Sequence, residues 1–392
     1  MLNLQKLEKI FLFLTVLFLP TQLGKHFWPD FSFVYSLPID YLSPVIYFWD
    51  LLVMFLLAVF ILQRKKINRL ALNLFLLFIL TSSLSLMPTG FVRLEQYLIA
   101  GLFGVYIASI NIKNYLSIFF VSTSLALIFE SLLSFGQFFS GHTLGFWLLG
   151  ERTFFISTPA IAKFDFRGLQ FLRPYGTFPH PNVLAGFMVI SVLVLFLLKK
   201  KVNYIYWLAI TTVLLTASRV AMTAGFFASI IFLPKKYLIW FLFAVGVISP
   251  FLYIRFSSLF NFDSLAFFRR EDLAGIALNL FSRSPLTGIG INNFIPSGAD
   301  QVLVGPSRFL QPVHNIFLLQ LSETGILGLI GLLVLIGIPF VRNKTMRVVW
   351  IVIIFLGMFD HYFLTLPQGY RLLFLVWGLS FSVLKYSGEK YF

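Results

Sequence analysis

The chain of 392 residues is 59% hydrophobic and 11% charged, and its mean hydropathy is +0.90. This composition excludes a water-soluble globular protein, because soluble domains contain many more charged residues. The chain has no cysteine, which excludes disulfides, thiol nucleophiles and cysteine-based metal sites, and its formal net charge is +15.

Apolar segments long enough to cross a bilayer recur along the whole chain. A spanning helix needs roughly 20 apolar residues. We predict twelve transmembrane helices, at residues 8–24, 45–62, 70–87, 91–111, 115–139, 182–198, 203–217, 219–233, 237–254, 314–340, 347–366 and 370–386. The first is interpreted as a span and not as a secretory signal, because no small-residue cleavage site follows it. The sequence therefore predicts an all-α polytopic membrane protein with one transmembrane domain, residues 1–392.

The short loops between these helices are basic on one side only. Lys and Arg cluster around residues 64–69, 199–201, 235–236 and 342–347 and in the tail at 385–390. The positive-inside rule assigns this side to the cytoplasm. We therefore predict a multi-pass protein of the cytoplasmic (inner) membrane with both termini in the cytoplasm.

Lysine and arginine divide unequally between the two sides. By this topology 13 of the 15 Lys are cytoplasmic, whereas 11 of the 15 Arg lie outside or at the outer boundary. The outer set is Arg93, Arg152, Arg167, Arg173, Arg219, Arg255, Arg269, Arg270, Arg283, Arg308 and Arg371. A guanidinium matches phosphate or carboxylate in a bidentate geometry that an ammonium lacks, so the bias indicates anion recognition. The alternative for each arginine is contact with lipid headgroups or with an acidic residue of the outer loops.

Two predicted outer loops are long, at residues 140–181 and 255–313. The first contains an alternating stretch at 161–167 that predicts an extended hairpin. In the second, apolar residues between 273 and 280 recur at helical spacing, which predicts a short amphipathic helix in the membrane interface. This helix should end at Ser284-Pro285.

Four predicted helices run inward from the outer surface, and a cation or an imidazole stands at the beginning of each. A cation at a helix N-terminus is unfavourable by ~0.3–1 kcal/mol unless an anion is present. Helix N-termini combined with arginines form a suitable pyrophosphate site. The residues at these four ends are Arg173, His180 and Asn182; Ser218 and Arg219; His314 and Asn315; and Arg371.

Four stretches together resemble the O-antigen ligase/polymerase family of bacterial membrane glycosyltransferases. They are Arg173-Pro-Tyr-Gly-Thr-Phe-Pro-His-Pro-Asn182, Thr216-Ala-Ser-Arg219, Ser284-Pro-Leu-Thr-Gly-Ile-Gly290 and His314-Asn-Ile-Phe-Leu-Leu-Gln-Leu-Ser-Glu-Thr-Gly325. The resemblance covers roughly residues 140–335. It implies a GT-C-like, metal-independent enzyme that takes a glycan from undecaprenyl pyrophosphate. It also implies that Arg173 and Arg219 bind the donor pyrophosphate and that His314 is the essential histidine.

The residues themselves are consistent with this chemistry. The outer face has no nucleotide supply, so a transferase there needs a donor that already has its leaving group attached. Arg173, Arg219 and Arg371 are expected to stabilise the charge that grows on the departing pyrophosphate. His314 is expected to act as general base on the acceptor hydroxyl, because an imidazole is suited to proton transfer near neutral pH. Direct displacement would invert the anomeric centre, and we expect no metal and no cofactor.

Other polar residues have alternative interpretations. Arg371, Glu323, His180, Asn182 and Asn315 are assigned to substrate binding, and Glu323 is expected to pair with an arginine. His180 lies between two prolines, which favours a role in loop structure over catalysis. His314 has the alternative of an interfacial helix cap. Asp360-His361 belongs either to the site or to its frame.

The preferred hypothesis is an O-antigen ligase-type enzyme of lipopolysaccharide and surface-polysaccharide biosynthesis. Its partners would be an undecaprenyl-pyrophosphate-linked glycan donor, a lipid or glycan acceptor and membrane lipids, with no nucleic acid. The alternatives are a polysaccharide polymerase, a protein O-oligosaccharyltransferase, or a transporter or flippase for a lipid-linked oligosaccharide. A transporter needs polar groups along its whole path. The predicted inner half has almost no charge, which favours a site on the outer face.

Overall fold

A computed structural model describes residues 3–199, 204–257, 265–302 and 310–382. Several residues used in the topology prediction lie outside the described residues: Lys200, Lys201, Arg308 and the tail at 385–390.

The described chain is mostly helical. Its α-helices in chain order are α1 (Leu4–Leu17), α2 (Phe48–Leu62), α3 (Arg69–Ser82), α4 (Pro88–Ser109), α5 (Leu116–Ser140), α6 (Pro181–Lys199), α7 (Tyr204–Leu215), α8 (Arg219–Phe232), α9 (Lys235–Val247), α10 (Ser249–Ser257), α11 (Leu265–Arg283), α12 (Phe294–Gly298), α13 (Ile316–Arg342), α14 (Arg347–Phe359), α15 (Tyr362–Thr365) and α16 (Pro367–Ser382). Short 3-10 turns lie at Asp30–Ser32, Ile112–Tyr115, Trp147–Leu149 and Ala299–Gln301.

The fold also contains three small antiparallel strand pairs, so the all-α prediction is incomplete. They are β1 (Gly24–His26) with β4 (Val45–Tyr47), β2 (Phe33–Val34) with β3 (Leu37–Pro38), and β5 (Lys163–Phe166) with β6 (Leu169–Leu172). The β5–β6 pair is the hairpin that the alternating sequence predicts, with Lys163 opposite Leu172.

A helix occupies each of the twelve predicted segments, but fewer satisfy the length and composition of a spanning helix. Among the described residues, four do so: Pro88–Ser109, Ile112–Ser140, Pro181–Leu198 and Ile316–Arg342. A fifth is present if α9 and α10, which are bent by 62°, form one broken span. The apolar helices indicate an integral membrane protein, whereas the number of twelve spans and the GT-C-like arrangement stay predictions.

Sequence signals at helix starts account for several boundaries. The side chain of Asn68 accepts a hydrogen bond from the backbone N–H of Ala71 and so caps α3 (3.2 Å). The carboxylate of Asp50 accepts from the backbone N–H of Tyr47 at the start of α2 (3.0 Å). Pro88 opens α4, where its missing N–H costs nothing.

The chain divides into two compact units. The first comprises residues 1–15, 24–118 and 263–392, and the second comprises residues 16–23 and 119–262. That residues 1–392 form one transmembrane domain stays a prediction.

In the first unit, α4 packs closely against α16. A side chain at Gly378 would collide with the backbone oxygen of Gly104, so the two glycines permit the close approach. Near the start of the unit, the buried carboxylate of Glu8 receives hydrogen bonds from Lys65, Gln63 (3.0 Å), Tyr106 (3.1 Å) and Tyr115 (3.0 Å). Burial is the largest influence on the pKa of Lys65 and lowers it, but hydrogen bonds to Glu8 and Tyr115 outweigh burial and raise that pKa.

Helix α13 of the first unit is broken at Gly325, which has φ 66° and ψ −168°. The backbone of residues 285–290 fills the break. The N–H groups of Ile289 and Gly290 donate to the carbonyl groups of Ser322 and Glu323 (3.1 and 2.8 Å), and the N–H of Ile326 donates to the carbonyl of Pro285 (2.9 Å). The neighbouring turn thus provides partners for backbone groups of the helix at the break.

In the second unit, α6, α7 and α8 pack together and α8 also contacts α9. Helix α5 and the β5–β6 hairpin belong to the same unit from Phe119 onward. The short segment between α7 and α8, residues 216–218, accepts hydrogen bonds from two of the arginines described below.

Candidate functional site

The stretch from Arg173 to Asn182 is held by polar side chains of α5. The side-chain oxygen of Gln137 accepts hydrogen bonds from the backbone N–H groups of Tyr175 (2.9 Å) and Gly176 (2.8 Å). The buried carboxylate of Glu130 accepts from the backbone N–H (2.9 Å) and the hydroxyl (2.5 Å) of Thr177. The backbone of this loop is therefore fixed in place by the side chains of Gln137 and Glu130.

Glu151 supports the same loop. Its carboxylate accepts from the side-chain amide of Gln137 (2.8 Å) and from the backbone N–H groups of Leu144 (2.8 Å) and Phe146 (2.6 Å).

Burial raises the pKa of the Tyr175 phenol above its usual value. The phenol oxygen accepts from the backbone N–H of Ala162 (2.9 Å) and connects the loop to the segment before β5.

Three arginines surround the turn at residues 216–218. Arg173 is buried, and its Nε donates to the carbonyl of Thr216 (2.6 Å). Arg255 of α10 donates through Nε to the carbonyl of Ala217 (2.8 Å). Arg219 is the first residue of α8 and lies near enough to Arg255 for their charges to repel. Ala217 itself has φ 50°, a region that non-glycine residues seldom adopt.

This arginine cluster, Arg173, Arg219 and Arg255, is suited to a polyanion. Guanidinium groups bind phosphate oxygens in a bidentate geometry, so three of them around one turn can hold a polyanion. The sequence analysis combined Arg173 with Arg219 but treated Arg255 only as one of eleven outer arginines. The sequence around Arg255 does not indicate this cluster, because Arg255 reaches the turn only through the tertiary packing of α10.

His180 and Asn182 have structural partners beside this cluster. The side-chain oxygen of Asn182 accepts from Nη2 of Arg173 (2.7 Å) and so orients that guanidinium. The Nδ1 of His180 accepts from the backbone N–H of Asn182 (3.1 Å), and the His180 carbonyl accepts from the N–H of Val183 (3.0 Å) at the start of α6. These contacts agree with the interpretation of His180 as a loop residue.

A second group of polar residues lies in the first unit, where α13 begins near the end of α14. The Nδ1 of His314 is 3.6 Å from a carboxylate oxygen of Asp360. The rings of His314 and His361 have centroids 5.1 Å apart. His361 is buried and shares a hydrogen bond between its Nδ1 and the hydroxyl of Thr365 (2.6 Å). Asp360-His361, which the sequence left undecided, thus lies beside His314.

His314, Asp360 and His361 are also residue types that hold divalent metals. One possible ligand atom from each lies within 4.8 Å of the others. Two imidazoles and one carboxylate form a common catalytic zinc set when a fourth position stays open. No local sequence pattern combines these three residues, since 46 positions separate His314 from Asp360. The absence of a metal stays a prediction, and chelation of the purified enzyme tests it.

Asn315 and Glu323 have partners within the fold. The side-chain oxygen of Asn315 accepts from the N–H groups of Phe317 (2.8 Å) and Leu318 (3.0 Å), so Asn315 caps α13. The carboxylate of Glu323 accepts from the backbone N–H of Phe294 (3.1 Å). Glu323 thus contacts the backbone at α12, and the charge of Arg93, an arginine, also acts on it.

Arg371 and Arg93 are enclosed in the first unit. Arg371 is 0% exposed; its guanidinium lies over the rings of Tyr47 (4.7 Å) and Trp49 (4.6 Å) and is 3.8 Å from Asp50. A ligand does not reach Arg371 in this conformation. Arg93 donates to the side chain of Asn292 and to the carbonyl of Thr365, among other groups. These two arginines therefore have partners within the protein, which differ from the lipid headgroups and acidic outer-loop residues named as the alternative.

Residues 182–333 match the family model described as O-antigen ligase. The apolar helices indicate an integral membrane protein, and residues 182–333 are similar to the O-antigen ligase family. This match agrees with the resemblance seen in the sequence. The match includes Arg219, Arg255 and His314 but ends before Asp360 and begins after Arg173. No curated protein matches the chain.

Proposed function

We propose that the protein transfers a glycan from an undecaprenyl-pyrophosphate carrier to an acceptor hydroxyl at the outer face of the cytoplasmic membrane. The observation that carries this proposal is the arginine cluster at the turn before α8, within the matched residues 182–333 and the loop that precedes them. In this reading the protein is a multi-pass enzyme with both termini in the cytoplasm.

The arginine cluster would bind the donor pyrophosphate. Arg173 and Arg255 are each fixed through Nε to a backbone carbonyl, so both guanidinium groups are oriented before a ligand arrives. As the bond between the anomeric carbon and the phosphate oxygen breaks, both electrons leave with the pyrophosphate. Fixed cations at that position stabilise the developing charge without reorganisation.

His314 would accept the proton of the acceptor hydroxyl as its oxygen attacks the anomeric carbon. The carboxylate of Asp360 lies 3.6 Å from Nδ1, which is too far for a hydrogen bond but close enough to favour the tautomer with its proton on Nδ1. That tautomer would leave Nε2 to act as the base. Direct displacement inverts the anomeric centre. The reaction as written needs no metal, since arginines balance the leaving group and a histidine removes the proton.

The same chemistry serves a ligase, a polysaccharide polymerase and a protein O-oligosaccharyltransferase, which differ in the acceptor. A transporter or flippase for a lipid-linked oligosaccharide is the alternative from another class. It would bind the same anion but would leave the bond to the phosphate intact.

A deletion strain separates these functions through the lipid-linked glycans that accumulate. We expect finished chains on the undecaprenyl carrier for a ligase and single repeat units for a polymerase. Accumulation of repeat units accessible only from the cytoplasmic side would support the flippase and contradict the proposal.

A further inference from the structure

The second unit contains an aromatic cavity of about 520 Å³ beneath the β5–β6 hairpin. Its walls come from α5, the hairpin, α7 and the bend between α9 and α10, and its lining is apolar apart from Arg167 and Thr211. This volume is within the ~300–1,000 Å³ typical of small-molecule sites.

Stacked phenylalanines form one wall of the cavity. The ring of Phe171 lies 5.7 Å from that of Phe138 and 5.5 Å from that of Phe164, and both pairs are nearly parallel. Phe251 of α10 packs edge-on against Phe164 at 5.7 Å. Aromatic stacking of this kind holds the wall in shape, so that the cavity does not depend on a ligand to form.

Three chain segments lead directly from the cavity to the arginine cluster. Phe171 lines the cavity, and Arg173 follows two residues later. Leu215 lines it, and the carbonyl of the next residue, Thr216, accepts from Arg173. Phe251 lines it, and Arg255 lies one helical turn further along α10. A cationic site and an apolar cavity are therefore adjacent within one compact unit.

We infer that this cavity binds the first isoprene units of the polyprenyl pyrophosphate donor while the arginine cluster holds its pyrophosphate. The inference rests on the proposed function, because it concerns the lipid part of the same substrate. A pyrophosphate carries more negative charge than a phosphodiester headgroup, which suits three arginines. One apolar cavity also fits a single prenyl chain better than the two acyl chains of a phospholipid.

Filling the cavity tests the inference. Val247 lines the cavity at the end of α9 and is 64% exposed, so Val247→Trp adds bulk there without disturbing a packed core. Thr211→Trp fills it from α7, where Thr211 is exposed. Val245→Trp is the matched control, since it makes the same change two residues away on α9 at a position that does not line the cavity.

The measurement is binding of two probes to the purified full-length protein in nanodiscs, farnesyl pyrophosphate and inorganic pyrophosphate. We expect Val247→Trp and Thr211→Trp to weaken farnesyl pyrophosphate by about tenfold or more, because apolar burial is lost. They should leave inorganic pyrophosphate unchanged, and Val245→Trp should change neither probe. Phosphatidylglycerol added to the nanodiscs should compete poorly with farnesyl pyrophosphate.

Three results would overturn the inference: unchanged farnesyl pyrophosphate binding in both filled variants, equal weakening of both probes, or equal competition by phosphatidylglycerol. The last would identify the cavity as an ordinary lipid site. Failure of the proposed function has a different signature. In that case the purified protein transfers no glycan, whatever the cavity variants do to farnesyl pyrophosphate.

Discussion

Arg219 and His314 have separate roles in the proposed reaction, so their variants should have different phenotypes. Arg219→Ala should lose binding of a polyprenyl pyrophosphate analogue, and Arg219→Lys should recover little because an ammonium lacks the bidentate fork. His314→Ala should keep donor binding and lose ~10²–10⁴-fold of turnover, the usual contribution of a general base. Donor affinity and transfer rate are measured in one detergent preparation.

Arg283→Ala is a suitable control for this comparison. Arg283 is an exposed arginine at the end of α11, and its removal changes net charge by the same amount. We expect donor affinity to be unchanged. If His314→Ala abolished donor binding as thoroughly as Arg219→Ala, His314 would be a phosphate ligand and the base would be another residue.

Asp360 distinguishes a histidine base from a metal centre. If Asp360 orients His314, Asp360→Asn should lower turnover, and wild-type activity should survive treatment with a chelator. If His314, Asp360 and His361 hold a metal, the chelator should remove activity and a divalent cation should restore it. The chelator experiment on the purified enzyme decides between the two, and strict metal dependence would contradict the proposed mechanism.

The sequence pointed to some of these residues and missed others for identifiable reasons. Arg219 and His314 stand at or beside helix starts, where a cation is unfavourable without an anion, and Arg173 lies in the loop that leads into α6. Arg255 and Asp360 reach their sites only through tertiary packing, which no local pattern encodes. Arg371 stands at a predicted helix start, but α16 begins four residues earlier at Pro367, and Arg371 is buried against Tyr47 and Trp49. A local pattern does not report burial.

The break in α13 depends on the backbone of two glycines. The sequence does not reveal the helix break at Gly325, because glycine within an apolar helix usually marks helix packing. A side chain at Gly325 would collide with the backbone of Leu286, and one at Gly288 with the backbone of Glu323. Both residues also have positive φ, 66° and 69°. The turn at 284–290 and the broken helix are therefore one structural element.

Gly325→Ala and Gly288→Ala should each destabilise the protein, by about 1–3 kcal/mol from backbone strain alone. Gly337→Ala is the matched control in α13, because a side chain there meets nothing within 4 Å. It should be neutral or slightly stabilising, by ~0.5–1 kcal/mol, through improved helix propensity. Thermal unfolding in detergent measures all three. Equal melting temperatures for Gly325→Ala and Gly337→Ala would show that the break is not required.

The helical composition and the helix positions follow from hydropathy, which is the strongest signal in a membrane protein. The strand pairs β1–β4 and β2–β3 were missed, because they are only two or three residues long and lack an alternating pattern. The charge of the loops predicts how the chain is oriented in the membrane. Labelling from one side of the membrane tests this orientation.

Single cysteines can report this topology because the chain contains none. We expect Ser157→Cys and Gln301→Cys to react with an impermeant thiol reagent added to the outside of intact cells. Lys66→Cys and Lys344→Cys should react only after the membrane is permeabilised, since basic loops stay in the cytoplasm. The reverse labelling pattern would place the arginine cluster on the wrong side for the proposed donor.

Transfer by the purified full-length protein tests the central claim most directly. The reaction contains an undecaprenyl-pyrophosphate-linked glycan and a candidate acceptor, and both the glycosylated acceptor and free undecaprenyl pyrophosphate are quantified. We predict that the two products appear in equal amounts and that both disappear in Arg219→Ala and His314→Ala. Movement of the intact lipid-linked glycan across a vesicle membrane, with no release of undecaprenyl pyrophosphate under any acceptor condition, would contradict the account.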